Sequence, residues 1–491
     1  MSVLRKQGFL NTIISYAGMV IGYVNAILLF PVLLPDPNQL GLTRFLIMLA
    51  PIYAQFAALG FTNISTKYFP YFRNRDRQHN GFLFLMLAFP LVGFAVFTAL
   101  FLLLKPTVIE YFGKQSPMAI KYYYYVIPLS FFTLLFILLD AYLRSLYKTV
   151  VQSLLKDFLE RILMLAAVLC YAWGWVDFDR FVVLFVAAYS ATSLICVVYL
   201  LWLKQFFIKP GKNLFQVVPM KEVVQYGLYS FLGNVSSSII GFVDSAMIAS
   251  YQGLDGVAFY TTGYFITSAI MVPSRGLNRI VSPRVADLFK LKDMAALAAL
   301  YKTMTRVNMV VGFLLFLGIW CNVDNIFALM PDDYSAGRYV ILFMGISRLF
   351  DLATGINGLI LLISDKYRYD LFFNILMVAL VAYTNYLLIP EYGISGAAFA
   401  SMLVFVLYNF FRVVLVAYFF KMQPFGWDSC LIILIAGLAF GAAWFLPQLP
   451  LLLDIAVRSG VLIGVYGGLV LWWKVSPELN RGVQKLWVRL R

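Results

Sequence analysis

The 491-residue chain is 62% hydrophobic and only 12% charged, with a mean hydropathy of +0.84, which excludes an ordinary soluble domain. Its net charge of +15 sits mostly in alternate loops between apolar runs, a distribution that argues against a nucleic-acid surface. A single histidine, His79, and four cysteines without CxxC spacing leave little for His-based catalysis, zinc chemistry or a disulfide framework.

Apolar runs of roughly 20 residues, each enough to cross ~30 Å of hydrocarbon, predict an all-α polytopic membrane protein. Fourteen spans are expected, near 9–33, 42–62, 81–104, 121–143, 158–176, 180–203, 225–250, 256–279, 304–325, 338–363, 369–389, 393–419, 428–446 and 451–473. The start, MSVLRKQGFLNTIISYAGMV, has no small-residue cleavage site and reads as an uncleaved first span. With that start inside, the bases gather in the inner connections: Arg5 and Lys6, then Arg73, Arg75 and Arg77, then Arg144, Lys148, Lys156 and Arg161. The richest connection runs from Arg275 to Arg306. The outer segments and span ends hold few bases, Arg44 among them. That asymmetry predicts both termini in the cytoplasm. Within the richest connection, Pro283–Arg306 reads either as an amphipathic helix on the inner surface or as a soluble helical connector.

The seventh span, QYGLYSFLGNVSSSIIGFVDSAMIASY, carries Asp244 inside an apolar run, and a carboxylate there is costly enough to count as a functional candidate. Its Ile240–Ser245 echoes Ile21–Ala26 in the first span, with Asp244 where the earlier copy has Asn25. A weaker echo pairs Gly60–Ile64 with Gly276–Ile280 at nearly the same offset. Copies an even number of spans apart share one orientation, so the repeat is parallel. The expected organisation is a six-helix bundle over 1–204, a cytoplasmic linker over 205–224, a second six-helix bundle over 225–420, and two extra helices with a basic cytoplasmic tail over 421–491.

The duplication, the stretch PNQLGLTRFLIMLAPIYAQFAALGFTNISTKYFP (Pro37–Pro70) and the turn Ile389-Pro390-Glu391-Tyr392-Gly393-Ile394-Ser395-Gly396-Ala397-Ala398 resemble the oligosaccharide flippases. That family belongs to the superfamily that also holds the multidrug and toxin exporters and the lipid II flippase. The resemblance implies two helical bundles facing a central cavity, with the two C-terminal helices outside the pair. It further implies alternating access that moves a polyprenyl-pyrophosphate-linked oligosaccharide across a bacterial cytoplasmic (inner) membrane for surface polysaccharide assembly. The implied partners are that lipid-linked glycan, membrane lipids and polysaccharide assembly proteins, with no nucleic acid.

A pyrophosphate calls for cations facing a hydrated lumen, where guanidinium binds phosphate oxygens bidentately. Arg348 lies about ten residues into the tenth span, with Asp351 three residues on. The two read either as a self-neutralised pair that permits packing or as a phosphate-binding Arg held by Asp351 when empty. Arg275, Arg279 and Arg44 are candidates at the cavity mouths, where snorkelling to the interface explains them equally. Asp140 and Arg144 read as a structural interfacial pair.

Asp244 sits about 19 residues after Gln225, or roughly 28 Å along a helix, at a depth similar to that of Asn385 and Ser401. The lipid II flippase branch places sodium among the equivalent three helices, so the resemblance extends a candidate sodium site to Asp244, Asn385 and Ser401. One further ligand position of that branch is Val381 here, which has no side-chain oxygen. A proton-titrating Asp244, or one hydrogen-bonded to Asn385, stays open beside sodium. The other function consistent with this fold is a cation-coupled multidrug or small-solute exporter, which would want an acidic rather than a cationic cavity. A membrane enzyme would want a long outer loop with a general acid or base, or an acidic metal site, and the short loops hold neither.

Overall fold

The computed structural model describes residues 14, 17–74, 78–146, 148–211, 220–364, 366–477 and 480. Within its helices it leaves aside the side chains of 66, 70, 149, 220, 224, 225, 228–230, 232–240, 276, 279, 280, 283, 367 and 371. Arg5, Lys6, Arg75 and Arg77 lie outside the described residues. The described residues form helices and turns and no strand. Eight of the helices are long and apolar enough to cross a membrane, and nine if one bent pair counts as a span. Length and apolarity alone therefore do not reproduce fourteen. The other expected spans fall on helices that are short, interrupted or more polar.

The chain divides into two compact units, Met1–Ala258 and Phe259–Arg491. In the first, the helices that matter below are α1 (Ala17–Leu33), α2 (Pro37–Ala58), α3 (Phe61–Phe72), α4 (Phe82–Leu103), α5 (Val126–Ser145), α6 (149–172), α7 (Phe178–Trp202) and α8 (Met220–Tyr251). Local chemistry sets their starts. Asp36 caps α2 by accepting from the Asn38 N–H, with Pro37 at the first helical position, and Asp177 caps α7 by accepting from Arg180 N–H. α2 packs on α5, and α6 and α7 complete the bundle. Its core joins Phe61, Phe69, Phe82, Leu138 and Tyr142. Leu91, Val92 and Val96 on α4, and Val198, Leu201 and Trp202 on α7, are exposed, as expected of helices apolar all round with one face on lipid. α8, the seventh expected span, packs against α2 and α3 and so falls within the first unit.

Two helices of this unit contain π-helical stretches, Val24–Leu29 in α1 and Ser153–Leu159 in α6. They lie side by side. Arg161 Nη1 donates to the Gly18 carbonyl at 2.7 Å and Asn25 Nδ2 donates to the Arg161 carbonyl at 3.0 Å. A Cβ on Gly18 or Gly22 would collide with Asp157 or Arg161, so the Gly-xxx-Gly spacing is what lets α1 approach α6. Lys156 and Arg161, two of the bases expected around the inner connection before the fifth span, belong to this helix. The helix begins at Thr149, and both bases are inside it.

In the second unit, α9 (Leu254–Ser268) enters from the first and is followed by α10 (Val272–Lys290), α11 (Met294–Cys321), α12 (Arg338–Ala353), α13 (Asn357–Ile363), α14 (Tyr367–Phe420), α15 (Trp427–Trp444) and α16 (Leu451–Trp472). Pro283–Arg306 is not one helix. α10 ends at Lys290, Lys292 turns with φ +56°, and Asp293 caps α11 by accepting from Ala296 N–H. The tenth expected span is broken, with α12 and α13 meeting at 56°. Gly355 makes the break at φ +69°, where a Cβ would strike Thr305.

α14 holds two arms joined at the Ile389–Ala398 turn. Gly393 has φ +60° and ψ −141°, a region open essentially to glycine alone. Gly396 faces the Leu388 carbonyl so closely that a Cβ would collide with it. Residue 374 meets 408 and residue 370 meets 412, so the arms run antiparallel.

Candidate substrate-binding site

Arg348 is the centre of the second unit's candidate site. It projects from α12, half-buried, with its guanidinium carbon 4.9 Å from the centroid of the Tyr264 ring and 5.7 Å from that of Phe405. Its Nε is buried with no hydrogen-bond partner. Among the described residues no ion pair joins it to Asp351, so the expected held pair is not formed. A planar cation between aromatic faces keeps its charge and its hydrogen-bonding edge, because ring quadrupoles attract it without consuming its N–H groups.

The second unit also holds a polar cluster that the sequence did not reveal. Arg412 Nε donates to Asp370 Oδ1 at 2.7 Å, and both side chains are largely buried. Arg412 also lies 4.0 Å from the centroid of the Tyr408 ring. Tyr408 OH donates to Asn374 Oδ1 at 2.7 Å, and Asn374 Nδ2 returns to the Asp370 carbonyl at 2.9 Å. Gly358 leaves room for this group, since a Cβ there would come within 2.8 Å of Arg412 Nη1. At the α12–α13 break, Thr354 Oγ1 is 3.0 Å from the Asp351 carbonyl and 3.3 Å from Asn409 Oδ1. Thr354 thus serves the Asp351 carbonyl, which loses its helical partner where the Gly355 N–H turns to the Leu352 carbonyl. An arginine eight residues inside the end of an apolar run was the available signal for Arg412.

The other expected cations are placed differently. Arg44 is buried, its Nη2 donating to the Ala26 carbonyl at 2.7 Å and its guanidinium near the Phe30 ring. It thereby fastens α1 to α2. Arg275 is exposed on α10, a polar helix that follows the 3-10 turn Ala269–Met271 ending the eighth apolar run. The Arg279 side chain lies outside the described residues. Asp244 is buried on α8, in the first unit, beside Ser245, whose hydroxyl contacts Met48 Sδ at 3.3 Å. Asn385 and Ser401 are buried on the two arms of α14, in the second unit.

The first unit carries its own cavity, of about 220 Å³, between α2, α5, α6 and α7. Asp140, Gln152, Lys156, Tyr189 and Thr192 line it together with Phe132 and Phe136. Asp140 pairs with Arg144 at 3.1 Å, as its spacing predicts, while its Oδ1 is buried without a partner. Lys156 Nζ donates to Glu160 Oε2 at 2.8 Å and to Tyr189 OH at 2.9 Å.

Comparison with known proteins bears on both units. Residues 4–289, more than half of the chain, match the family model described as polysaccharide biosynthesis protein. The chain belongs to that family. Among curated relatives of the family, the chain is similar to the probable low-salt glycan biosynthesis flippase Agl15 of Haloferax volcanii, with 20% identity over 261 residues. That match covers 52% of this chain and 54% of the relative, so the chain spans about half the length of the curated relative it matches. Among solved structures it is similar to the lipid II flippase MurJ in an inward closed conformation. The TM-score is 0.76 at 12% identity, over 95% of this chain and 99% of that one. An inward-facing multidrug resistance MATE family transporter aligns with a TM-score of 0.61 at 15% identity, over 84% and 94%. At such identities the likeness shows the fold alone, and this member of the family shares that fold.

Proposed function

We propose that this polysaccharide biosynthesis protein is a flippase that moves a polyprenyl-pyrophosphate-linked oligosaccharide across the cytoplasmic membrane by alternating access. The observation that carries the reading is Arg348, a cation ten residues into a span, flanked by Tyr264 and Phe405 and not neutralised by the carboxylate one turn away. A doubly charged pyrophosphate needs such a group, because an anion entering a low-dielectric site gains most from a guanidinium that is already desolvated. A cationic drug would be repelled by it. The relative described as a probable low-salt glycan biosynthesis flippase, Agl15, and the lipid II flippase MurJ support the same reading by their descriptions.

Fourteen spans, cytoplasmic termini, bundles over 1–204 and 225–420, and association with polysaccharide assembly proteins belong to this proposal. So do headgroup contacts by Arg275 and Arg279 and an ion-coupling role for Asp244, Asn385 and Ser401. Translocation of a defined lipid-linked oligosaccharide in proteoliposomes tests it. Wild-type protein is expected to move the lipid between leaflets, and Arg348→Ala is expected not to. Absence of movement by the wild type, together with export of an organic cation, would replace the proposal with the exporter reading.

A further inference from the structure

The cavity of the first unit differs in kind from the surroundings of Arg348. Its charges cancel locally: Asp140 is paired with Arg144 and Lys156 with Glu160, and Asp157 and Arg161 add one acid and one base on α6. A phosphate or a free cation would therefore find no net attraction there. What the site lacks is a neutral hydrogen-bond donor. Asp140 is only 5% exposed, lines the cavity, and has an Oδ1 with no partner. An unsatisfied buried carboxylate oxygen is costly and is relieved by a hydroxyl.

The rest of the wall is amphipathic. Gln152 and Thr192 present an amide and a hydroxyl, Phe132, Phe136 and Pro51 present apolar surface, and Lys156 is held in place by Glu160 and Tyr189. At ~10–15 Å³ per water-sized site, about 220 Å³ amounts to roughly 15–22 such sites, enough room for a group of about a dozen non-hydrogen atoms. A single pyranose ring has that size, an apolar C–H face and a rim of hydroxyls.

We propose that this cavity is a neutral-sugar subsite that holds one pyranose of the glycan, with Asp140 Oδ1 accepting from a sugar hydroxyl, Gln152 and Thr192 completing the polar rim, and Phe132 and Phe136 facing the ring. It rests on the flippase reading for its source of sugar.

The test is photolabelling of the full-length protein in nanodiscs with diazirine-bearing methyl glycosides of glucose, galactose and N-acetylglucosamine, followed by peptide mapping. At least one glycoside is expected to label peptides of α5 or α7 and to be displaced by excess unlabelled sugar. Labelling is expected to fall about tenfold in Asp140→Asn, the effect of losing a charge-assisted hydrogen bond, and measurably in Thr192→Val. Thr192→Val keeps the side chain's shape and guards against misfolding of the first variant. No displaceable label, or label unchanged in both variants, would mean a cavity holding water only and would overturn the proposal. Lipid flipping is measured on the same preparation. A wild type that flips but does not label at α5 or α7 refutes the subsite alone. One that labels there but moves no lipid refutes the flippase reading and leaves the sugar site standing.

Discussion

Arg412 Nε and Asp370 Oδ1 stand 2.7 Å apart and tie the two arms of α14 together near their ends. The Gly393 turn lets the arms meet, and the ion pair sets their register. Removing one partner leaves the other charged and buried, which costs about 3–5 kcal/mol. Arg412→Ala is expected to lower the thermal unfolding midpoint in detergent by that loss. The neutral pair Asp370→Asn with Arg412→Gln should recover most of it. A single variant as stable as the wild type would show that the pair contributes no net stability.

Arg348 is expected to behave in the opposite way, with function lost and stability kept. Among the described residues no carboxylate depends on it for compensation, so Arg348→Ala should unfold near the wild-type temperature while lipid translocation drops at least about tenfold, one charge-assisted contact's worth. Arg348→Lys should fall between, because an ammonium keeps the charge but loses the planar face that lies against Tyr264. Unimpaired translocation by the alanine variant removes the phosphate role.

Asp244 is buried in α8, where a carboxylate is costly unless it serves a purpose. Asp244→Asn is expected to insert normally and to flatten the dependence of transport on sodium or on pH, whichever the wild type shows. Rates measured across both gradients decide the matter. An ion response identical to the wild type would make Asp244 a structural residue.

Backbone geometry makes a separate prediction about glycines. Gly393→Ala forces an alanine to φ +60° and ψ −141°, which costs about 1–3 kcal/mol, and it is expected to lower the midpoint of unfolding accordingly. Gly441→Ala on α15 meets nothing within 4 Å and should leave the midpoint unchanged or raise it by the helix propensity gained, up to ~1 kcal/mol. Equal effects of the two would contradict the strained turn.

Local sequence was sufficient where a local property decides structure. Runs of apolar residues announced a membrane protein because lipid accepts nothing else over that length. The Ile389–Ala398 motif announced a turn because only glycine takes the Gly393 conformation. The i,i+4 spacing of Asp140 and Arg144 announced their pair, since that spacing brings side chains together on any helix. The extent of α6 was less legible. Thr149 to Lys156, with Thr, Gln, Ser and Lys among its residues, looks like a connection until Lys156 is given Glu160 and Tyr189 as partners.

The use made of each charge was decided only by tertiary structure. Arg348 and Asp351 are three residues apart and suggest a pair, yet the Arg348 guanidinium lies against the rings of Tyr264 and Phe405 and no ion pair joins it to Asp351. Arg44 looked like a cation at a cavity mouth, and the structure fastens it to the Ala26 carbonyl. Asp370 and Arg412 are 42 residues apart and meet only because α14 folds back on itself. Spans are set by interactions within about 20 residues, which sequence displays. Pairing of buried charges is set by which helices touch, so neighbours distant in the chain determine it, and a cation's spacing from the nearest acid in sequence does not.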